Sequence, residues 1–387
     1  MKILILAPHP FYQDRGTPIS EDLLIQALLA RGDDVDLLTY HEGVGRTHER
    51  LRIFRIRPFP RVRDIRPGFS AKKLYCDVFM FSQLISLLWK NHYDVVHAVE
   101  ESTFMALLLC PLRSIPYVCD IDSSMTTQLV DRFRVLRPFR ALLQWIEAMP
   151  YRKAVAVVPM CDALADEIRR YRSGRVVVLK DVSLIRARED GEEVENLAEK
   201  LNLSGPVSMY IGNLEAYQGI DLLLESFAIA IRSVEDATLI IIGGTAGDIQ
   251  RFRAFAQRLG VTESVHFLGP RPVGQIGLYM EQADVLVSPR TQGTNTPMKV
   301  YSYLDSGVAV LATRRPTHTQ IMNDEIARLA EPSPKAFASG LTELFADPDL
   351  RQRLARSARA YIQREHSYPV FRERVHELYA RLDETTR

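Results

Sequence analysis

Short apolar runs alternate with amphipathic stretches from the first residues onward. KILILA (2–7) has the continuous apolar character of a strand buried on both faces. A loop through Gly16 then leads to a stretch in which Ile19, Leu23, Leu24, Ala27 and Leu28 fall on one helical stripe. This helix stops at Arg31-Gly32 and VDLLTY (35–40) follows, which makes a strand–helix–strand unit, the seed of a parallel sheet. RIFRI (52–56), VVHAV (95–99), YVCDI (117–121), AVAVVP (154–159) and VVVLK (176–180) read as further strands. Residues 186–204 carry many charges and few apolar groups, as a linker or an exposed helix does. The pattern then restarts with VSMYIGN (207–213), a helix DLLLESFAIAI, the strand TLIIIGG (238–244), a helix IQRFRAFAQRLG and the strands SVHFLG, ADVLVSP and AVLAT. The expected fold class is α/β, with two Rossmann-like halves in tandem. The boundaries drawn from the pattern are 1–185 and 205–364, with a C-terminal helix at about 365–387 packing back on the first half.

A length of 387 residues is more than one core usually fills, in keeping with two domains. Lys+Arg total 49 against 48 Asp+Glu, so there is no global field to attract nucleic acid, and none is expected as a partner. Cys76, Cys110, Cys119 and Cys161 show no spacing suited to a metal, and buried free thiols in a reducing compartment are expected. The apolar run in MKILILAPHP is too short for a signal peptide, and no run is long enough to span a bilayer. A cytoplasmic protein is the expectation. Neither half has GxGxxG after its first strand, and GGTAGD (243–248) reads as a strand–helix turn, so a nicotinamide enzyme is disfavoured and no cofactor is expected.

The most informative stretch is SPRTQGTNTPMKVYSYLDSG (288–307). A strand end runs into a turn rich in Gly, Thr and Asn, and then into a helix with Lys299 in its first turn. Backbone N–H groups at such a helix start, from Thr294 to Met298, together with a lysine, suit a phosphate. The turn should lie at the carboxyl edge of a parallel sheet, where ligands of open α/β sheets bind. Asn295, Thr296 and Pro297 are also ordinary turn and cap residues.

The order of the N-terminal glycine loop, DVVHAVE, IGN…YQGIDLLLESF, IIIGG, VHFLGP, ADVLVSP and this turn resembles the retaining glycosyltransferases of family 4, over nearly the whole chain. The resemblance implies the GT-B fold, an acceptor-presenting N-terminal domain, a C-terminal domain holding a nucleoside-diphosphate sugar, and metal-independent transfer with retention in the cleft. It places Gly16 and Thr17 in the donor loop, where a missing Cβ lets main-chain N–H groups approach an anion. Gly269 and Pro270 take the place of the loop that reads the base. The departures are specific. Asn213 and Gln218 stand where the family has the Arg and Lys that neutralise the diphosphate, and Asp122 stands where it has a His. Gln292 and Ser302 replace its paired glutamates, Ser302 falling at the ribose ligand with Tyr301 beside it.

A leaving diphosphate needs its developing charge offset, and Arg290 and Lys299 are the cations flanking the turn. Asp122 is expected to orient a sugar hydroxyl, since the departing phosphate oxygen can take the acceptor proton. His97 reads as a core histidine, and Glu100 and Glu101 suit either the site or an exposed loop. From Arg50 to Lys73 nine Lys/Arg face one acid, Asp64, with aromatic residues interleaved, as suits an anionic membrane surface. Arg132, Arg134, Arg137 and Arg140 could extend that patch, and an edge strand guarded by charge explains part of it equally well. The expected function is transfer of a hexose to a lipid-linked or saccharide hydroxyl, by an enzyme held peripherally on the inner face of the membrane. A non-catalytic nucleotide- or glycan-binding protein and a nucleotide-sugar epimerase remain open alternatives.

Overall fold

The computed structural model describes residues 1–13, 16–60, 62–65, 70–185, 193–293 and 295–386. The chain forms two compact units, Met1–Lys180 with Pro369–Arg387, and Asp181–Tyr368. Among the described residues the first unit holds a six-stranded sheet of β1 (Lys2–Ala7), β2 (Asp34–Thr39), β3 (Leu51–Arg55), β4 (Val95–Val99), β5 (Tyr117–Ile121) and β6 (Ala156–Pro159). All its pairings are parallel, in the order β3-β2-β1-β4-β5-β6. The second holds β7 (Val207–Ile211), β8 (Thr238–Ile242), β9 (Val265–Gly269), β10 (Val285–Ser288), β11 (Ala309–Thr313) and β12 (Arg328–Ala330). They are parallel too, in the order β12-β11-β10-β7-β8-β9. Each unit therefore reverses strand order once, at β1/β4 and at β7/β10, and the carboxyl ends of those strands are where an open α/β sheet offers a crevice.

The apolar runs became strands because the sheets are covered on both faces. Every residue of β4, β7, β8 and β11 is buried, and each large apolar side chain removed from water contributes roughly 1.5–3 kcal/mol. VVVLK is a correction. It meets β6 through a single bridge at Val157 and Val176 and through N–H bonds from Val177 to Val157 and from Leu179 to Pro159, too irregular a pairing for a strand. β12, only three residues long, was too short to read from the pattern.

The helix Tyr368–Thr386 belongs to the first unit. His376 Nε2 lies 2.9 Å from the carbonyl of Ala27, and the Tyr379 hydroxyl donates to His97 Nδ1 at 2.7 Å. His97 has no exposure and its Nε2 donates to Asp120 at 2.9 Å, which bears out the reading of a hydrogen-bonded core histidine.

Some cations of the basic stretch Arg50–Lys73 have partners within the chain, while Arg50, Arg52, Arg57, Arg63 and Lys72 are exposed. Arg52 pairs with Asp36, Arg55 donates to the carbonyls of Phe11, Tyr40, Glu42 and Val44, and Lys73 pairs with Glu101. Arg61, Arg66 and Phe69 of that stretch lie outside the described residues.

Candidate functional site

The strand-order reversal of the second unit is built on glycines. Gly212 (φ +148°) ends β7 and donates its N–H to Ile242, and Gly243 (φ +113°) ends β8 and donates to Gly269. A Cβ on Gly243 would sit 2.1 Å from the Gly212 carbonyl oxygen. One on Gly219 (φ +74°) would sit 2.1 Å from that of Pro289, so the loops after β7 and β10 can interlock only with glycine there. The bond from Thr291 N to Tyr217 O, 3.1 Å, joins the same two loops. GGTAGD is a strand–helix turn, as expected: Thr245 and Asp248 form a reciprocal capping box.

Arg290 and Lys299 both face this loop pair. Arg290 is only 8% exposed, and its guanidinium donates to the Gln292 carbonyl at 2.8 Å and to Asn295 Oδ1 at 3.0 Å while lying over the Tyr217 ring. Gly293 (φ +100°) leaves room for it, since a Cβ would fall 2.4 Å from an Arg290 nitrogen. Lys299, half-buried, stands in the first turn of the helix Met298–Asp305, whose N-cap, Pro297, supplies no side-chain hydrogen bond. Its ammonium lies 3.8 Å from the centre of the Tyr210 ring and donates to Gln218 Oε1 at 3.3 Å.

Burial, reinforced by Arg290, holds the Lys299 pKa well below the ordinary lysine value, and burial also lowers that of Arg290. Among the described residues neither cation pairs with a carboxylate. Two adjacent cations, one buried and one half-buried, left with aromatic and amide partners are an arrangement that an anion relieves.

Most other predicted residues of this unit gather around these two. Gln218, buried, holds the lysine in place of contributing a charge, and Asn295 holds the arginine. Asn213, exposed, accepts the Tyr210 hydroxyl on its carbonyl at 2.6 Å. Thr296 is buried in the turn, and Thr294 lies outside the described residues. Gly269 (φ +71°) and exposed Pro270 end β9, two strands from the reversal.

Tyr301 and Ser302 are both buried in the packing of their helix. Tyr301 is 1% exposed and packs edge-on against His366, and the Ser302 hydroxyl accepts the Leu184 N–H at 3.0 Å. Tyr301, two residues after Lys299, lies on another side of the helix, whereas Ser302, three residues after it, shares the lysine's side.

Sequence reasoning missed the aromatic lining and one histidine. Tyr303, one helical turn after Lys299, accepts the Ile211 N–H and donates to its carbonyl, fixing the end of β7; the i, i+4 spacing of Lys299 and Tyr303 was the available signal. His318 lies beneath Arg290. Its Nε2 accepts the Ser288 hydroxyl at 2.8 Å, its Nδ1–H donates to the Thr313 carbonyl at 2.9 Å, and the Thr313 hydroxyl donates to the Arg290 carbonyl.

Burial pushes His318 down to about 4, against the Thr313 hydrogen bond and with the help of Lys299 and Arg290. Its folded value thus lies below its unfolded one. The unfolded chain binds the proton first, and the contribution to stability is complete above pH ~6.5 and lost as pH falls toward 4. Between pH 7.5 and pH 5 this group should withdraw about 2 kcal/mol of stability. Urea unfolding of the parent and of His318→Gln at both pH values checks it: the gap between the two proteins should narrow at pH 5, and a constant gap refutes the assignment.

In the first unit, ionisable groups collect at the ends of β1, β4 and β5. The Thr17 hydroxyl donates to Asp122 Oδ2 at 2.7 Å. Burial pushes Asp122 up to about 7, Asp120 adding to the effect and Thr17 opposing it. Glu100, in the left-handed region (φ +49°), accepts the Ser123 hydroxyl at 3.0 Å and is raised well above the carboxylate range by burial, Asp122 and Glu101. His9 and Glu21, which the sequence reading passed over, meet at 2.7 Å. A Cβ on Gly16, the first residue of its helix, would meet nothing within 4 Å, so the protein's own packing does not demand a glycine there. The cluster can orient a hydroxyl and hold or release a proton near neutrality.

A family model described as Glycosyltransferase Family 4 matches residues 22–180, and one described as Glycosyl transferases group 1 matches residues 192–361. The chain is 23% identical over 391 aligned positions to the phosphatidyl-myo-inositol mannosyltransferase of Mycobacterium leprae, covering 98% of this chain and 96% of that protein. It is 25% identical to the alpha-monoglucosyldiacylglycerol synthase of Streptococcus pneumoniae, covering 98% and 85%. Among solved structures it resembles sucrose-phosphate synthase from Thermosynechococcus elongatus (TM-score 0.76, 18% identity, 100% of both chains). It also resembles Anabaena HepE in complex with UDP-glucose (TM-score 0.74, 16% identity, 98% and 99%).

Proposed function

The chain belongs to glycosyltransferase family 4 and has the two-domain α/β GT-B fold, and on that premise we propose that it moves a hexose from a nucleoside-diphosphate sugar to a lipid-linked or saccharide hydroxyl. The observation that carries the reading is the pair Arg290 and Lys299, a buried and a half-buried cation at the strand-order reversal of the second unit with no carboxylate partner among the described residues. A diphosphate supplies the negative charge they lack. A guanidinium can grip it through two N–H groups, and a lysine meets it as a point charge.

In the proposed step the bond from the sugar's anomeric carbon to the diphosphate oxygen breaks, and a bond from that carbon to the acceptor oxygen forms on the same face. The departing phosphate oxygen takes the acceptor proton. Configuration is retained and no metal is needed, because Arg290 and Lys299 offset the charge that gathers on the leaving group. Asp122, positioned by Thr17, orients a sugar hydroxyl, and Gly16 leaves space for the donor. The first unit serves the acceptor and the second the donor. The similarity to the mannosyltransferase and the glucosyldiacylglycerol synthase supports a hexose and a lipid acceptor, and that to the HepE complex supports a nucleoside-diphosphate donor.

Melting curves with UDP-, GDP- and ADP-sugars test the reading, because a ligand that binds only the folded state raises the melting temperature. At a hundred times its dissociation constant, the right donor should add about 2.7 kcal/mol of stability. Release of the free nucleoside diphosphate should then rise when a lipid-linked or saccharide acceptor is supplied. Binding without release would mark a binding protein, conversion of the donor to an isomer would mark an epimerase, and an unmoved melting temperature with every donor would end the proposal.

A further inference from the structure

The described residues between Pro289 and Pro297 form neither helix nor strand, yet this loop holds Arg290 buried next to a second cation. A segment rich in Gly, Thr and Asn gives up much conformational freedom when it is ordered, and a charge repelled by its neighbour gains by swinging out to water. Something outside the loop must hold it.

The holding groups come from one short segment. β11 ends at Thr313, and the residues from Thr313 to His318 reach the loop at four points. His318 Nε2 accepts the Ser288 hydroxyl at 2.8 Å, where β10 ends, and the Thr313 hydroxyl donates to the Arg290 carbonyl. The Arg315 guanidinium donates to the Thr291 carbonyl at 3.1 Å, and the Thr317 hydroxyl to the Asn295 carbonyl at 2.7 Å. Asn295 in turn accepts the Arg290 guanidinium on its Oδ1. Arg290 is therefore tied to this segment at both ends, through its own carbonyl and through Asn295.

The bonds have a fixed direction. His318 Nδ1–H is turned to both oxygens of Thr313, the carbonyl at 2.9 Å and the hydroxyl at 3.0 Å, which leaves the hydroxyl proton for Arg290. Thr313, Thr317 and His318 have no exposure, so no water can stand in for a lost bond. Packing alone would be served by apolar side chains, which avoid the cost of desolvating two hydroxyls and an imidazole. Polar groups add what packing lacks, a set position for the loop. A displacement of about 1 Å at a reacting centre costs on the order of a hundredfold in rate, so that position matters to the reaction.

We propose that Thr313, Thr317 and His318 are positioning residues that act through Arg290, fixing its loop so that the guanidinium meets the leaving diphosphate. The proposal rests on the reading of Arg290 as the partner of that group.

Inorganic pyrophosphate is the probe, since the free anion carries the charge that the leaving group gathers. Titration calorimetry on the full chain, below the melting range of every variant, should show about tenfold weaker binding in Arg290→Ala. Thr313→Val and Thr317→Val, which keep the shape and remove a hydroxyl, should each show most of that loss. Thr313→Ser, which keeps the hydroxyl, should bind as the parent does. Thr313→Val made in the Arg290→Ala protein should cost nothing further, because a residue that acts through Arg290 has no effect left to exert, whereas a general loss of structure adds in full. Arg315→Met, an exposed change that leaves the core intact, should show a smaller loss that likewise vanishes in the Arg290→Ala protein, and it carries the test if a buried variant does not fold. Parent-like binding in Thr313→Val, or a loss that adds in full to that of Arg290→Ala, overturns the proposal and leaves the donor site standing. Parent-like binding in Arg290→Ala strikes the donor reading, and this proposal with it.

Discussion

Lys299→Met should lower kcat/KM by at least a hundredfold, about 2.7 kcal/mol of transition-state stabilisation, while the ligand-free protein stays at least as stable as the parent. The two halves of this expectation have one cause. The ammonium is held against Tyr210 and near Arg290 by packing, and burial and the neighbouring cation both oppose its charge. A methionine keeps the stem against the ring and removes the repulsion. What is lost is charge where the diphosphate develops its own. Steady-state kinetics and thermal melts of the two proteins without ligand check both parts. A variant that turns over like the parent would take Lys299 out of the reaction, and one that unfolds readily would make it a structural residue.

Arg290→Ala should cost on the order of a hundredfold in kcat, and Arg290→Lys should recover little of it. The guanidinium is fixed by the Gln292 carbonyl, Asn295 and the Tyr217 ring, and Gly293 keeps the space it occupies. Lysine would bring a charge on a flexible stem without the planar fork that those contacts hold. Single-turnover rates with saturating donor separate this from weaker binding: the effect should fall on the rate of the step and only secondarily on the donor concentration needed. Recovery of full activity by Arg290→Lys would show that charge alone suffices.

The two-unit α/β architecture could be read from the chain because a strand covered on both faces announces itself as an uninterrupted apolar run. VVVLK misled for the same reason. It is apolar, yet Val177 and Leu179 meet β6 by isolated bonds, and nothing in composition distinguishes that from a ladder. In the candidate site, Arg290, Lys299 and Gln218 were visible as residue types around a turn that resembled a known one. Their surroundings were not. The tyrosines at 210, 217 and 303 converge from β7, the loop after it and the Lys299 helix, and His318 arrives from beyond β11. The burial of Tyr301 and Ser302 was out of view as well, because position along a helix fixes the side a residue takes only when the packed side is known.

The chain leaves the first unit at Lys180 and returns to it at Pro369, so the second unit is an uninterrupted stretch and the first is not. A ribosome therefore delivers everything the second unit needs before the first has its last helix. Until Tyr379 emerges, the buried Nδ1 of His97, at the centre of the first sheet, waits without the hydroxyl that completes it.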